Sequence, residues 1–286
     1  MMERVSDIIQ YKQLLKETKK QYGRLQTNCF LFAPDIQKYI DQQRLFFETG
    51  DQGIFFFVDE KKFYQAYYHV STEMERLDIT AADKPMLIRT IYMKDAKTET
   101  QEKIDRLITA AGFHLLDTTT HEYVVAEDNL AEMGAMYERM EQRLERYGLE
   151  LLVAKEQHLD QMLMLRDNEP ELKVFHIPYQ TREEELEAIH EGRYACIVNQ
   201  EGEVCAARKV EEVSGNLYGA WFCVKESYKN KYGLGVVMTG FEMKYAKDHH
   251  LPRVYGWIAN DNVGSWTYHK RLGVQLTGKV ADEWVR

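Results

Sequence analysis

Hydrophobic positions along this chain follow two periods, about 3.6 residues in some stretches and 2 in others, and the changes between them divide it into elements. Residues 6–22 carry a thin apolar stripe among polar residues and end near Gly23, which predicts a surface helix. A short strand is predicted around 30–32 and a helix over 35–48, introduced by Pro34. Apolar runs at 53–58 and 63–70, joined by Asp59-Glu60-Lys61, read as two strands. A strand over 86–93, a helix over 100–111 and one or two strands within 113–125 complete the first half. Residues 129–147 then form a charged amphipathic helix ending at Gly148. Its stripe of Leu130, Met133, Met136, Tyr137, Met140 and Leu144 is expected to pack between two domains.

The second half repeats the order of the first. A strand is predicted over 149–154, helices over 157–166 and 181–191 with a loop 167–180 between them, and a hairpin of 193–199 and 203–213 over Glu201-Gly202. A strand over 217–224, a helix reaching His250, a strand over 253–258, a helix over 263–272 and closing strands within 274–285 follow. Both halves run strand, helix, two strands, strand, helix, strand. The fold class is therefore α/β with a mixed sheet, and a duplicated fold is expected. The domains are placed at 1–128 and 149–286, with 129–148 as a linker helix. A chain of 286 residues is long enough for that division.

A formal net charge of −9 argues against broad nucleic-acid or anionic-membrane binding, which needs a basic face. The 4 cysteines, at 29, 196, 205 and 223, have no metal-ligand spacing and sit in apolar, strand-like contexts. Free thiols in a reducing, cytoplasmic setting are the expectation. Counting back from the Glu201-Gly202 turn places Cys205 opposite Val198 rather than Cys196, so no disulfide is implied. The charged opening of the chain is unlike a signal peptide, and the densest apolar run, 54–58, is too short to span a bilayer. Neighbouring histidines His249 and His250 end a helix and point apart, so no metal site is expected, nor does any Ser/His/Asp arrangement stand out.

The most telling segment is 224–246. A strand leads into Lys225-Glu226-Ser227-Tyr228-Lys229-Asn230-Lys231-Tyr232-Gly233-Leu234-Gly235 and then into a helix. A loop of this kind presents unpaired backbone N–H groups at a helix N-terminus, where the dipole also favours an anion. Lys225, Lys229 and Lys231 add positive charge to an acidic chain, and a diphosphate is the natural guest. A dinucleotide fingerprint would need a third glycine at Met238, and a P-loop would need Gly-Lys-Ser/Thr at the helix start; neither is present. The first half has no counterpart of this loop or of the helix after it.

About thirty residues on come Asn262, Ser265, His269, Gly273 and Val274. Here the chain resembles the GNAT superfamily of acyl-CoA-dependent N-acyltransferases. Asn230-Lys231-Tyr232-Gly233-Leu234-Gly235 matches that family's coenzyme motif, Arg/Gln-x-x-Gly-x-Gly/Ala. The second set matches its motif of an Asn, a small residue three later, an aromatic or His seven later, and Gly-Phe at eleven and twelve. Asn230 stands where Arg or Gln is usual, the loop is one residue longer than is common, and Val274 replaces Phe. The resemblance covers 217–274, and the element order fits back to Leu149. It implies a GNAT-like fold in two tandem copies, with the coenzyme site in the C-terminal one.

The resemblance further implies a ternary complex in which a primary amine directly attacks the thioester of acetyl-CoA, or of another short acyl-CoA, without a metal. The coenzyme is expected on Lys229, Asn230, Lys231, Tyr232, Gly233, Leu234, Gly235 and Val236, with amides of 232–236 on the pyrophosphate. Phe222, Cys223 and Val224, on a splayed strand, would offer an N–H to the thioester oxygen. Asn262 and Ser265 complete the set. His269 shares a helical face with Asn262 and Ser265 and is the expected acid, with Tyr268 as its alternative. Glu226 is the candidate base, with Glu211 and Glu212 on a neighbouring strand. The acceptor, a small or amino-acid-like amine, is expected against the loop 167–180, where His176 and Tyr179 could line a pocket beside Asp167, Glu169 and Glu171. A catalytically silent acyl-CoA-binding or regulatory protein remains open, as does a transferase that takes charged tRNA. The first half is expected to be a degenerate copy without a coenzyme. Oligomeric state is not readable.

Overall fold

The strand Gly53–Asp59 is buried along nearly its whole length, and its two faces build the layers on either side of it. Ile54, Phe56 and Val58 face one apolar cluster, while Phe55 and Phe57 face another. It is β4 in chain order, seen in a computed structural model that describes all residues except 1, 81, 117–118, 127–136, 170–176 and 272, and all other side chains except those of 96, 126, 268 and 271. The chain divides into two compact units, Met1–Thr120 with Gly278–Arg286, and His121–Thr277. The contiguous division at 128 and 149 therefore differs from the compact units: residues after 277 complete the first sheet, and residues from 121 belong to the second.

In the first unit the strands are β1 (Glu3–Arg4), β2 (Leu25–Thr27), β3 (Leu45–Gly50), β4, β5 (Tyr64–Ser71), β6 (Met86–Met93) and β7 (His114–Leu115). The sheet order is β1-β3-β4-β5-β6, with residues 279–285 of the last strand antiparallel to β6. Helices α1 (Ile8–Tyr22) and α2 (Ala33–Asp41) cover the face of Ile54 and Phe56, and α3 (Glu99–Ala110) covers the other. Asp7 caps α1 by accepting from the amides of Ile9 and Gln10, and Thr98 caps α3 in a capping box with Gln101.

The helix predicted over 35–48 ends at Asp41, and Leu45–Gly50 pairs with β4, because Leu45 and Phe47 alternate into the α1/α2 cluster. The strand expected at 30–32 lies earlier, at Leu25–Thr27, where it pairs with β5.

The second unit continues with β8 (Thr120–Ala126), a helix α4 over 137–144, and β9 (Leu149–Val153). Then come α5 (Leu159–Asp167), α6 (Arg182–His190), β10 (Tyr194–Asn199), β11 (Val204–Val213) and β12 (Asn216–Val224). The remaining elements are α7 (Leu234–Asp248), β13 (Arg253–Ala259), α8 (Val263–Arg271) and β14 (Gln275–Val285). Its sheet order is β8-β13-β12-β11-β10-β9, and the Thr277 hydroxyl of β14 donates to the Glu122 carbonyl of β8. Tyr137, Met140 and Leu144 of α4 pack with α7 into this unit's own core, while Leu130, Met133 and Met136 lie outside the described residues. The other face of the sheet packs on α5 and α6 through Leu159, Met162, Ala188, Tyr194 and Trp221.

In the hairpin, Val198 pairs with Val204 and Ile197 with Ala206, so Cys205 is the extra residue of a bulge rather than the partner of Val198. All 4 cysteines are free thiols, and burial pushes that of Cys196 up to about 12. No helix among the described residues is long and apolar enough to cross a membrane.

Candidate active site

Strands β12 and β13 are parallel, yet they pair only at Leu217 with Val254 and Tyr218 with Tyr255. Beyond that rung they part, although β12 runs to Val224 and β13 to Ala259. A bulge in β12 lies just past the point of parting, because Lys209 pairs with Trp221 and Val210 with Gly219, leaving Ala220 as the extra residue. Phe222 and Val224 then face the α7 layer while Cys223 faces α5 and α6. The Phe222 ring lies under Arg208 at 5.8 Å and beside Gly235 at the head of α7.

From β12 the chain makes one tight turn, Glu226–Tyr228, and enters α7 through left-handed backbone at Asn230 (φ 58°), Tyr232 (φ 59°) and Gly233 (φ 68°). Asparagine and glycine adopt this conformation readily, whereas a tyrosine there is strained. The amides of Val236 and Val237 both donate to the Gly233 carbonyl. Those of Tyr232, Gly233 and Leu234 donate to no group among the described residues. The lysines of the loop are otherwise engaged. Lys225 pairs with Glu203, Lys229 with Glu169 at 3.0 Å and Glu226 at 3.1 Å, and Lys231 donates to the Ser227 carbonyl at 2.8 Å. Any hold on a diphosphate therefore rests first on the main chain. Glu226 is exposed, with Lys229 for a partner, rather than enclosed between the strands.

The first residues past the last rung are Gly219 on β12 and Gly256 on β13. A Cβ on Gly219 would lie 2.5 Å from Glu242 Oε1 and 2.7 Å from Arg208 Nη2; one on Gly256 would lie 2.7 Å from the Tyr123 hydroxyl. The parting strands thus enclose a buried polar cluster contributed by α7, β11 and β8. Arg208 Nη2 and Glu242 Oε2 are 2.5 Å apart, with side-chain exposures of 7% and 2%. Arg208 also bonds to the Tyr123 phenol. Burial raises the Glu242 carboxyl against the opposing pull of Arg208, and burial together with the Glu242 charge raises Tyr123. Glu242 Oε1 and the Tyr137 hydroxyl have no hydrogen-bond partner among the described residues.

Helix α8 explains the second motif locally. Asn262 Oδ1 accepts from the Ser265 amide at 2.9 Å, capping the helix. His269 Nδ1 lies 2.8 Å from the Ser265 carbonyl and 3.1 Å from its hydroxyl, and its ring is 4.6 Å from that of Tyr123. Burial pushes the His269 pKa down to about 4, with the Arg208 charge adding to the effect. The imidazole is neutral at pH 7, and its Nδ1–H is committed to Ser265. Tyr268 lies on the same helix, with its side chain outside the described set, and His176 is outside it as well. Tyr179 is half-buried. Its neighbour Gln180 donates to Glu211 at 3.0 Å and accepts from Lys209, which is fully buried and 2.8 Å from Glu185. Among the described residues no His/Cys/Asp/Glu group could hold a metal.

No protein-family model matches the chain, and no curated sequence matches it either. Its fold recurs among solved structures. A tandem GNAT protein from the clavulanic acid biosynthesis pathway aligns with a TM-score of 0.59 at 13% identity, over 100% of this chain and 98% of the other. A GCN5-related N-acetyltransferase from Sphaerobacter thermophilus gives 0.54 at 9% identity, over 100% and 95%. A GNAT-family acetyltransferase from Colwellia psychrerythraea gives 0.52 at 10%, over 100% of both. The chain has a tandem GNAT fold.

Both units have parting strands. In the first unit β5 and β6 pair only over Tyr64–Ala66 against Met86–Ile88. There the opening is occupied by the chain itself: β2 pairs along β5, and buried Asn28 donates to Ala66 and Arg89 carbonyls at 3.2 and 3.1 Å while accepting from the Tyr68 amide at 2.7 Å. In the second unit no such strand lies between β12 and β13 among the described residues. The residues at the opening between β12 and β13 that sequence reasoning passed over are Arg208, Glu242 and Tyr123. The signal for two of them was present: the charged pair Arg208-Lys209 inside the apolar run Val204–Val210, and a lone carboxylate in the apolar helix Val236–Ala246.

Proposed function

We propose that this protein is an N-acyltransferase that moves an acetyl or short acyl group from acetyl-CoA to a primary amine in a ternary complex. The observation that carries this reading is the parting of β12 and β13 beside a helix head whose Tyr232, Gly233 and Leu234 amides have no described acceptor. These three amides would hold the pyrophosphate, with Phe222 to Val224 along the coenzyme arm; the Val236 amide, expected to join them, is spent on the Gly233 carbonyl. The coenzyme supplies the activated acyl carbon; the chain positions it, excludes water and handles protons. The acceptor would enter on the α5/α6 side, near Tyr179 and Gln180. A small-molecule amine is the partner this reading needs, and it needs neither nucleic acid nor a membrane.

One observation favours the catalytically silent alternative. His269 is neutral with Nδ1 on Ser265, and Glu226 is exposed on Lys229, so the acid and base expected from sequence are poorly placed for proton transfer. Labelled acetyl-CoA incubated with a broad amine panel decides between the two. Coenzyme binding with label transfer supports the enzyme, binding without transfer supports the silent form, and no binding removes both. The first copy, with Asn28 in its opening, is assigned no coenzyme; calorimetric titration should give one acetyl-CoA per chain.

A further inference from the structure

We infer that Tyr123, on β8, is the group that hydrogen-bonds the coenzyme's sulfur and gives it a proton as the acyl group leaves, with Arg208 and Glu242 as positioning residues. The inference rests on the acyltransferase reading and deepens it. Its hydroxyl lies against Gly256, the first residue of β13 beyond the last paired rung, where the strands begin to part. From the amides at residues 232–234, α7 runs about eight residues, or about 12 Å, to Glu242 beside the same point. A coenzyme arm laid from that helix head along the parting strands would bring its sulfur toward the Tyr123 phenol.

The neighbours of the phenol fit the task. Arg208 donates to its oxygen, and a cation there stabilises the phenolate formed when the proton leaves. Glu242 holds Arg208 through Oε2 at 2.5 Å. His269, whose ring lies on that of Tyr123, is neutral and bonded to Ser265, so it does not compete as the donor. The charged and titratable groups around the phenol are Arg208 on β11, Glu242 on α7, Tyr218 on β12 and His269 on α8. The step balances without another reactant. The amine nitrogen bonds to the acyl carbon, the carbon–sulfur bond breaks, the phenolic proton passes to sulfur, and the surplus proton on nitrogen restores the phenol.

Binding of CoA and of desulfo-CoA, which lacks the thiol, tests the contact without knowledge of the amine. Wild type should bind CoA at least about fivefold more tightly, the value of one hydrogen bond. Tyr123→Phe should erase that difference while still binding desulfo-CoA like wild type. With an amine that wild type acetylates, Tyr123→Phe should lose about 100-fold in kcat, with the KM for acetyl-CoA changed less than about threefold. Should the Phe variant not fold, Tyr123→Met takes its place. A preference for CoA retained in the variant, or absent from wild type, overturns the assignment to Tyr123. Wild type binding neither compound overturns the coenzyme site itself.

Discussion

Gly219 presents its bare Cα to the carboxylate of Glu242: a Cβ there would sit 2.5 Å from Oε1, closer than real Cβ contacts allow. The atom in the way belongs to a buried ion pair rather than to the free end of a surface side chain. Gly219→Ala must therefore displace either β12 or the Arg208–Glu242 pair. It should destabilise the protein by about 1–3 kcal/mol, read as a lower midpoint in urea at unchanged slope. Unchanged stability would mean that the pair is free to move.

The pair itself separates stability from function. Glu242→Gln leaves Arg208 as an uncompensated buried cation and should lose about 3–5 kcal/mol. Arg208→Met/Glu242→Met removes both charges and keeps the volume, so it should lose only the hydrogen bond to the buried Tyr123 phenol, about 1–3 kcal/mol. Equal losses in the single and double variants, measured by denaturation, would contradict the view that charge balance is what matters here.

His269 is expected to make folding acid-sensitive. Its folded pKa is pushed down to about 4 from the ordinary 6.5, so between those values the unfolded chain binds the extra proton. Stability from this group is complete above pH 6.5 and falls as pH drops toward 4. From pH 7 to pH 5 the loss should be about 2 kcal/mol. His69 in the first unit has the same shift from burial and should add a similar loss. His269→Gln ought to flatten the stability-versus-pH curve over this window by its own share; an unaltered slope would remove His269 as the cause.

Asn28 closes the first copy's opening by satisfying the Tyr68 amide and the Ala66 and Arg89 carbonyls. Asn28→Ala strands these backbone groups and should lower stability by about 3 kcal/mol. It should not create a second coenzyme site, because β2 still pairs along β5. Titration of the variant with acetyl-CoA giving two sites per chain would show that this side chain alone excludes the ligand.

The sequence made the elements of the second unit legible because period and turn chemistry agree there. The hairpin over Glu201-Gly202, the strand into Val224 and the glycine-led helix all lie within a residue or two of their expected places. The helix predicted over 35–48 failed where Leu45, Phe46 and Phe47 obey tertiary pairing over local periodicity. The turn into α7 was readable because its backbone geometry is written by Gly233. Arg208, Glu242 and Tyr123 were harder to find, since they come from separate strands and a helix and meet only where β12 and β13 part. Asn262, read as a coenzyme ligand, is seen capping α8, a role that its position before Val263 also permits.

The compact units make the last expectation specific. The segment 149–286, the apparent C-terminal copy, lacks β8, the neighbour of β13, and with it Tyr123, which fills the space over Gly256. It also lacks Val125, Tyr137 and Leu144, all buried in the α7 core, while retaining Val280, Ala281 and Trp284, which are buried within the first unit. Expressed alone, 149–286 should be aggregated or unfolded. The segment 121–277 keeps its sheet neighbours and core, and it should show a cooperative thermal transition by circular dichroism. A stable, cooperatively melting 149–286 would show that β8 is dispensable, and with it the placement of Tyr123 at the opening.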